Sequence, residues 1–275
     1  MSWAKLLTLG LLVSAPFATA SPVTASSSLQ GDVSDQGFAN PVVYFTFMGK
    51  STNVNGTVWR AFWVFDLPSG LAPVTEATFV VQPSGYFGDG AQHTVVFTDF
   101  LLSPSLLSAS YTAGDATGQS IFADLGAGAV YGQLNVVPSD ARVDCSTPSC
   151  TVQPGHTLSL KLNSAGLSAI NAKLGASFVI GGYVSTTSPN LVGDSDGVQL
   201  GTYFNHSIAE LQLQSVPEPG TASLFVLAGL AAFARQRFRR RSPGSQAALG
   251  AAPGHDQRDV VVLRGSGGKA RQRLQ

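Results

Sequence analysis

The chain has 275 residues, 44% of them hydrophobic and 12% charged, with sixteen Lys/Arg against sixteen Asp/Glu. That neutrality is uneven: Ser21–Ser215 holds five Lys/Arg and thirteen Asp/Glu, a net −8, while the stretch from Arg235 onward is strongly basic. A body without clustered Lys and Arg excludes nucleic-acid binding by phosphate neutralisation, and it leaves neutral partners such as glycans open.

At the start of the chain, Lys5 precedes the apolar run Leu6–Phe17, which is followed by Ala18-Thr19-Ala20. A basic residue, a short apolar core and an A-x-A site predict a secretory signal peptide over residues 1–20, cut after Ala20. The competing reading is an uncleaved anchor, which Pro16 and the polar stretch after Ala20 oppose.

The body, residues 21–215, reads as one β-domain. Strands are expected at Val42–Met48, Thr57–Asp66, Thr75–Gln82, Thr94–Phe100, Ala129–Val137, Thr157–Leu162, Ser177–Val184, Val198–Phe204 and Ile208–Gln214, with Gly, Pro and Asp between them. Thr57–Asp66 puts Trp59, Ala61, Trp63 and Phe65 on one face and Val58, Phe62 and Val64 on the other. Both faces are apolar, as in a central strand covered on both sides. Short irregular spacing without an internal repeat points to a sandwich rather than a propeller or solenoid. Two helical interruptions are expected. Ser103 caps a turn that begins at Pro104. Asn163 or Ser164 begins a helix with Leu167, Ile170 and Leu174 on one face and Gly175 just past its end.

Few residues in the body suggest chemistry. Cys145 and Cys150 lie in a turn-rich segment, where a disulfide is the simplest reading in an oxidising compartment and free or metal-bound thiols are the alternatives. Gly193-Asp194-Ser195-Asp196-Gly197 matches the G-x-S-x-G of hydrolase elbows, but strand-period residues follow Ser195 where that elbow needs a helix. Asp194 and Asp196 are candidate oxygen ligands for Ca²⁺, although a full Asp-x-Asp-x-Asp-Gly loop is absent. The histidines, at 93, 156, 206 and 255, are dispersed and form no metal or catalytic motif. Trp59, Trp63, Tyr44 and Tyr86 offer aromatic faces for sugar stacking, against the simpler reading of core packing. Tyr86 and Phe87, expected in a loop between Gly85 and Gly88, are the stronger candidates for facing a ligand.

Val216-Pro217-Glu218-Pro219 ends the last strand, since proline removes backbone donors. An uncharged apolar segment, Ala222–Ala234, follows, and then Arg235, Arg237, Arg239, Arg240 and Arg241. The fifteen residues Gly220–Ala234 rise ~22 Å as a helix, short of the ~30 Å hydrocarbon core, so length alone leaves a buried helix and a transmembrane helix both open. The order of parts decides between them. Residues 216–241 resemble the PEP-CTERM sorting signal of exported proteins in Gram-negative bacteria. That resemblance implies a transmembrane helix, arginines kept on the cytoplasmic side, transient anchoring in the inner membrane, and processing by an exosortase-type membrane enzyme. Residues 242–275, rich in Gly, Ala and Arg without periodicity, read as a disordered tail.

The body carries a second likeness. Trp59-Arg60-Ala61-Phe62-Trp63-Val64-Phe65-Asp66-Leu67, Val74–Phe79, Phe122-Ala123-Asp124-Leu125-Gly126, Tyr131-Gly132 and Phe178-Val179-Ile180-Gly181-Gly182 resemble a group of PEP-CTERM proteins of unknown role. The Arg-x-Phe-x-x-Phe-Asp-Leu strand is also similar, at the level of fold, to jelly-roll modules of the carbohydrate-binding kind.

The expectation is therefore an all-β protein: a single jelly-roll-like β-sandwich with one or two short helices, a signal peptide and a C-terminal transmembrane helix. It is expected to be an exported, non-enzymatic surface or matrix protein without a cofactor, in contact with extracellular polysaccharide. A glycan-active hydrolase or lyase is the alternative, and it requires an open cleft with two carboxylates. N-terminal sequencing of the exported form should begin at Ser21, and any other start refutes the cleavage site.

Overall fold

The computed structural model describes residues 22–41, 45–51, 57–147, 149–186, 195–201, 209–216 and 229. Contacts divide the chain into two units, Met1–Glu218 and Pro219–Gln275, and every described residue except Gly229 belongs to the first. Fourteen strands form among them: β1 (Val23–Ser34), β2 (Ala39–Asn40), β3 (Phe45–Ser51), β4 (Thr57–Asp66), β5 (Val74–Val81), β6 (Pro83–Phe87), β7 (His93–Thr98), β8 (Val130–Val136), β9 (Val143–Cys145), β10 (Thr151–Val152), β11 (Leu158–Lys161), β12 (Ser177–Val184), β13 (Ser195–Gly201) and β14 (Glu210–Ser215). Two α-helices, α1 (Ala116–Asp124) and α2 (Ser164–Ala172), and a 3-10 turn at Pro104–Ser108 interrupt them.

The architecture is all-β and sandwich-like, and it follows from how β1 and β4 are shared. The first residues of β1 pair with β14, which continues to β5 and β11. After a register shift between Ser27 and Leu29, the rest of β1 pairs with β4. One long strand thereby belongs to both layers. On its other side β4 pairs with β3 through Thr57–Trp59 and with β12 through Ala61–Asp66. From β3 the layer continues to β13, β6, β9 and β10, and from β12 to β7 and β8. All of these pairs are antiparallel except β6 with β9.

From Ala61 to Phe65 the alternation along β4 is realised as its sequence predicts, whereas Val58 and Trp59 belong to neither core. Ala61, Trp63 and Phe65 enter one core, while Phe62 and Val64 enter a second core on the opposite face. In the first, Trp63, Phe79 and Phe97 form a triangle, with ring centroids 5.3 Å, 5.1 Å and 6.0 Å apart, that joins β4, β5 and β7. The second lies beneath α1 and the 3-10 turn, which contribute Ile121, Leu125 and Leu107. Neither core is exposed to water, so both faces of β4 gain from apolar burial.

Helix α2 begins as expected: Asn163 Oδ1 accepts from the amides of Ala165 and Gly166. Ser103 precedes its turn without a side-chain cap, its hydroxyl meeting Ser105 Oγ instead. Helix α1, β1, β2, β6 and the β9–β10 pair are not among the elements expected from sequence. Only Gly118 and Ile121 of α1 are buried, so it carries almost no apolar stripe, and β1 buries small residues such as Ala25 and Ser27. The expected signal peptide and tail, and the expected transmembrane segment apart from Gly229, lie outside the described residues, among which no helix is long and apolar enough to cross a membrane.

Gly181 and Gly182 serve opposite faces of β12. A Cβ on Gly182 would come within 2.9 Å of Met48 Sδ and 3.0 Å of the Trp63 ring, and one on Gly181 within 3.1 Å of Leu125. Trp63 is held by Phe79 and Phe97 and has little room to retreat. Gly182→Ala should cost about 1–3 kcal/mol of stability by overpacking, read as a lower denaturant midpoint at unchanged slope.

Candidate functional site

Residues from the segments on which the body's expected resemblance rests interlock with one another. Arg60 Nη1 donates to the carbonyls of Phe122 and Ala123, at 2.7 Å and 3.3 Å, in the last turn of α1. Its guanidinium lies 4.2 Å from the centre of the Phe122 ring and 5.6 Å from that of Tyr183. A cation at a helix C-terminus meets the negative end of the helix dipole and carbonyls that lack helical partners, and burial lowers the Arg60 pKa against the opposing influence of Tyr183. Asp124 Oδ2 accepts from the amides of Leu101 and Leu102, and Leu125 O accepts from Thr98 Oγ1. These residues fasten α1 onto the sheet.

Side chains with more chemical potential gather where β6, β7 and β13 meet. Tyr86, expected to face a ligand, is instead fully buried. The reason is pairing: Tyr86 lies opposite Val198 of β13 on one side and Asp144 of β9 on the other, so what reads as a glycine-flanked loop is an interior strand. Its hydroxyl donates to Gly90 O at 2.6 Å, and its ring packs 4.7 Å from that of His93. Burial first, then the charges of Asp196, Asp144 and Asp89, push the Tyr86 pKa up to about 12. Phe87 is half-buried, edge-on to Phe47.

His93 is buried as well. Its Nε2 lies 2.7 Å from Phe87 O and 3.5 Å from Asp196 Oδ1, and its Nδ1 lies 3.1 Å from Thr186 O. Both ring nitrogens are engaged with oxygens of the fold. Asp196, at 0% exposure, therefore faces His93 rather than an open loop, and Asp194 lies outside the described residues. Among the described residues no three His, Cys, Asp or Glu side chains are grouped to hold a metal. Ser195 opens β13, opposite Ser51, so it has a strand after it where a nucleophile elbow requires a helix. Beside this cluster Cys145 and Cys150 form the expected disulfide, closing the β9–β10 hairpin.

Two further features lie nearer the surface. A cleft of about 230 Å³ between Phe100–Leu102 and the end of α2 contains Asp99 and Lys173. Asp99 Oδ1 is already taken by the Phe100 amide and by the hydroxyl of Tyr131, whose pKa burial and this bond raise. The other is an aromatic corner near the start of β4: Trp59 and Phe38 meet at 77° with centroids 5.8 Å apart, and Phe38 is 41% exposed. Trp63 lies in the core, and Tyr44 lies outside the described residues. Val216 closes the described body, its amide donating to Pro73 O. Pro217, Glu218, Pro219 and the arginines at 235, 237, 239, 240 and 241 lie outside the described residues.

Compared with models of known protein families and with curated protein sequences, the chain matches none.

The buried group with the clearest effect on stability is Asp32, on β1. Its Oδ2 accepts from the Phe47 amide at 3.0 Å, and burial outweighs this bond and one to its own backbone, raising its pKa from 3.8 to about 7. A raised carboxyl pKa means that the native state holds a proton the unfolded chain has lost, so stability falls as pH rises from about 4 through about 7. Asp32→Asn keeps an acceptor for Phe47 without a charge. It should flatten that slope and raise stability at pH 8 by about 2–4 kcal/mol, measured by denaturant titration at several pH values.

Proposed function

We propose that the chain is an exported, non-enzymatic surface or extracellular-matrix protein of a Gram-negative bacterium. Its jelly-roll-like body is released from a signal peptide, held briefly in the inner membrane by residues 216–241, and sorted by an exosortase-type enzyme. At the cell surface or beyond, the body contacts polysaccharide.

One observation carries the sorting reading: β14 ends at Ser215, next to the proposed signal. The body makes its last strand pairing at Ser215 opposite Val74, so a cut near Pro217–Pro219 leaves the sheet complete. The same holds at the other end, where β1 begins at Val23, beyond the proposed cut after Ala20. The Cys145–Cys150 disulfide fits an oxidising destination. The non-enzymatic reading draws support from the polar cluster, whose histidine is buried and committed to backbone carbonyls.

The test is fractionation of cells producing the wild-type chain beside a variant with Pro217, Glu218 and Pro219 changed to Ala. The wild-type body should reach the surface or medium while the variant stays with the inner membrane. If both are found in one fraction, the sorting assignment is wrong.

A further inference from the structure

We propose that Phe38 and Trp59, together with Asp35 and Gln36, form a binding site for a neutral polysaccharide. The inference deepens the reading that the body contacts glycans, and it rests on that reading.

Among the described residues, Phe38 is the one aromatic among the large exposed hydrophobics, and the turn that carries it is locked on several sides. Its amide donates to Ser34 Oγ and its carbonyl accepts from Ser34 N, while Asp35 N donates to Val58 O of β4. Gly37 has φ +83 and lies so close to α1 that a Cβ on Gly118 would come within 1.9 Å of Gly37 O. The Gly114 amide adds a bond to Gln36 O at 2.6 Å. Trp59 is fixed by its indole N–H, which donates to Thr57 Oγ1 at 2.9 Å. An exposed ring held this firmly loses little conformational freedom on binding.

The surroundings select the ligand. The apolar face of a pyranose ring matches an aromatic face, and its hydroxyls need acceptors and donors close by. Gln36 is exposed in the same turn, and Asp35 Oδ1 is buried with no hydrogen-bond partner. A buried acceptor without a partner carries a desolvation penalty, which a ligand hydroxyl reaching it would remove. The body's net charge of −8 disfavours polyanions. A neutral glycan meets all of these conditions.

The test is affinity electrophoresis of the exported protein in native gels containing hydroxyethylcellulose, xyloglucan or galactomannan, with alginate as the polyanion. The wild type should be retarded by at least one neutral polymer and not by alginate. Phe38→Ala should weaken that retardation at least five-fold, Phe38→Tyr should retain it within two-fold, and Asp35→Asn should weaken it with an unchanged denaturation midpoint. Undiminished retardation of Phe38→Ala overturns this site while leaving glycan contact by the body intact. Retardation by alginate alone overturns the choice of a neutral ligand, and retardation by none of the polymers overturns both the site and the glycan reading.

Discussion

Phe62 and Trp63 are neighbours in one strand, point to opposite sides of the sheet, and are both withdrawn from water. That condition organises the body, because a strand apolar on both faces is stable only if something covers each of them. On the Trp63 side the cover is the second layer, through Phe79 of β5. On the Phe62 side it is α1 with the 3-10 turn, which bring Ile121, Leu125 and Leu107. Glycines in β12 make room on both sides, Gly182 toward Trp63 and Gly181 toward Leu125.

Arg60, Asp124 and Leu125, from the segments on which the expected resemblance rests, are among the parts that build this arrangement. Arg60 holds the C-terminal end of α1, Asp124 holds the segment before the 3-10 turn, and Thr98 binds Leu125 O from β7. Their side chains are spent within the fold. Contacts of this kind specify a scaffold, and ligand specificity is then open to residues on turns that the scaffold holds rigid. The Phe38 turn is one of these, tied to both β4 and α1.

The buried polar groups follow a similar logic. His93, Tyr86 and Asp196 come from three strands and hold the Gly88 turn against β13, where a Cβ on Gly88 would fall within 2.2 Å of Asp196 Oδ1. Buried polar groups of this kind persist when hydrogen-bonded and are costly when left open. Asp32 is less well served, since burial raises its pKa despite two backbone bonds.

The sequence by itself determined the features governed by local rules. The two apolar faces of β4 follow from alternation, the start of α2 follows from the capping chemistry of Asn163, and the Cys145–Cys150 bond joins residues close in the chain. Tertiary structure alone decided which side chains face water. Tyr86 lies between glycines in a segment that reads as a loop, yet β13 and β9 flank it and bury it. The serine-rich β1 lacks an apolar signal of its own and is a strand because β14 and β4 offer it partners. Helix α1 is held by Arg60 from a distant strand rather than by an apolar stripe. Periodicity reports what a segment can bury, whereas burial itself depends on which distant segments come to lie beside it.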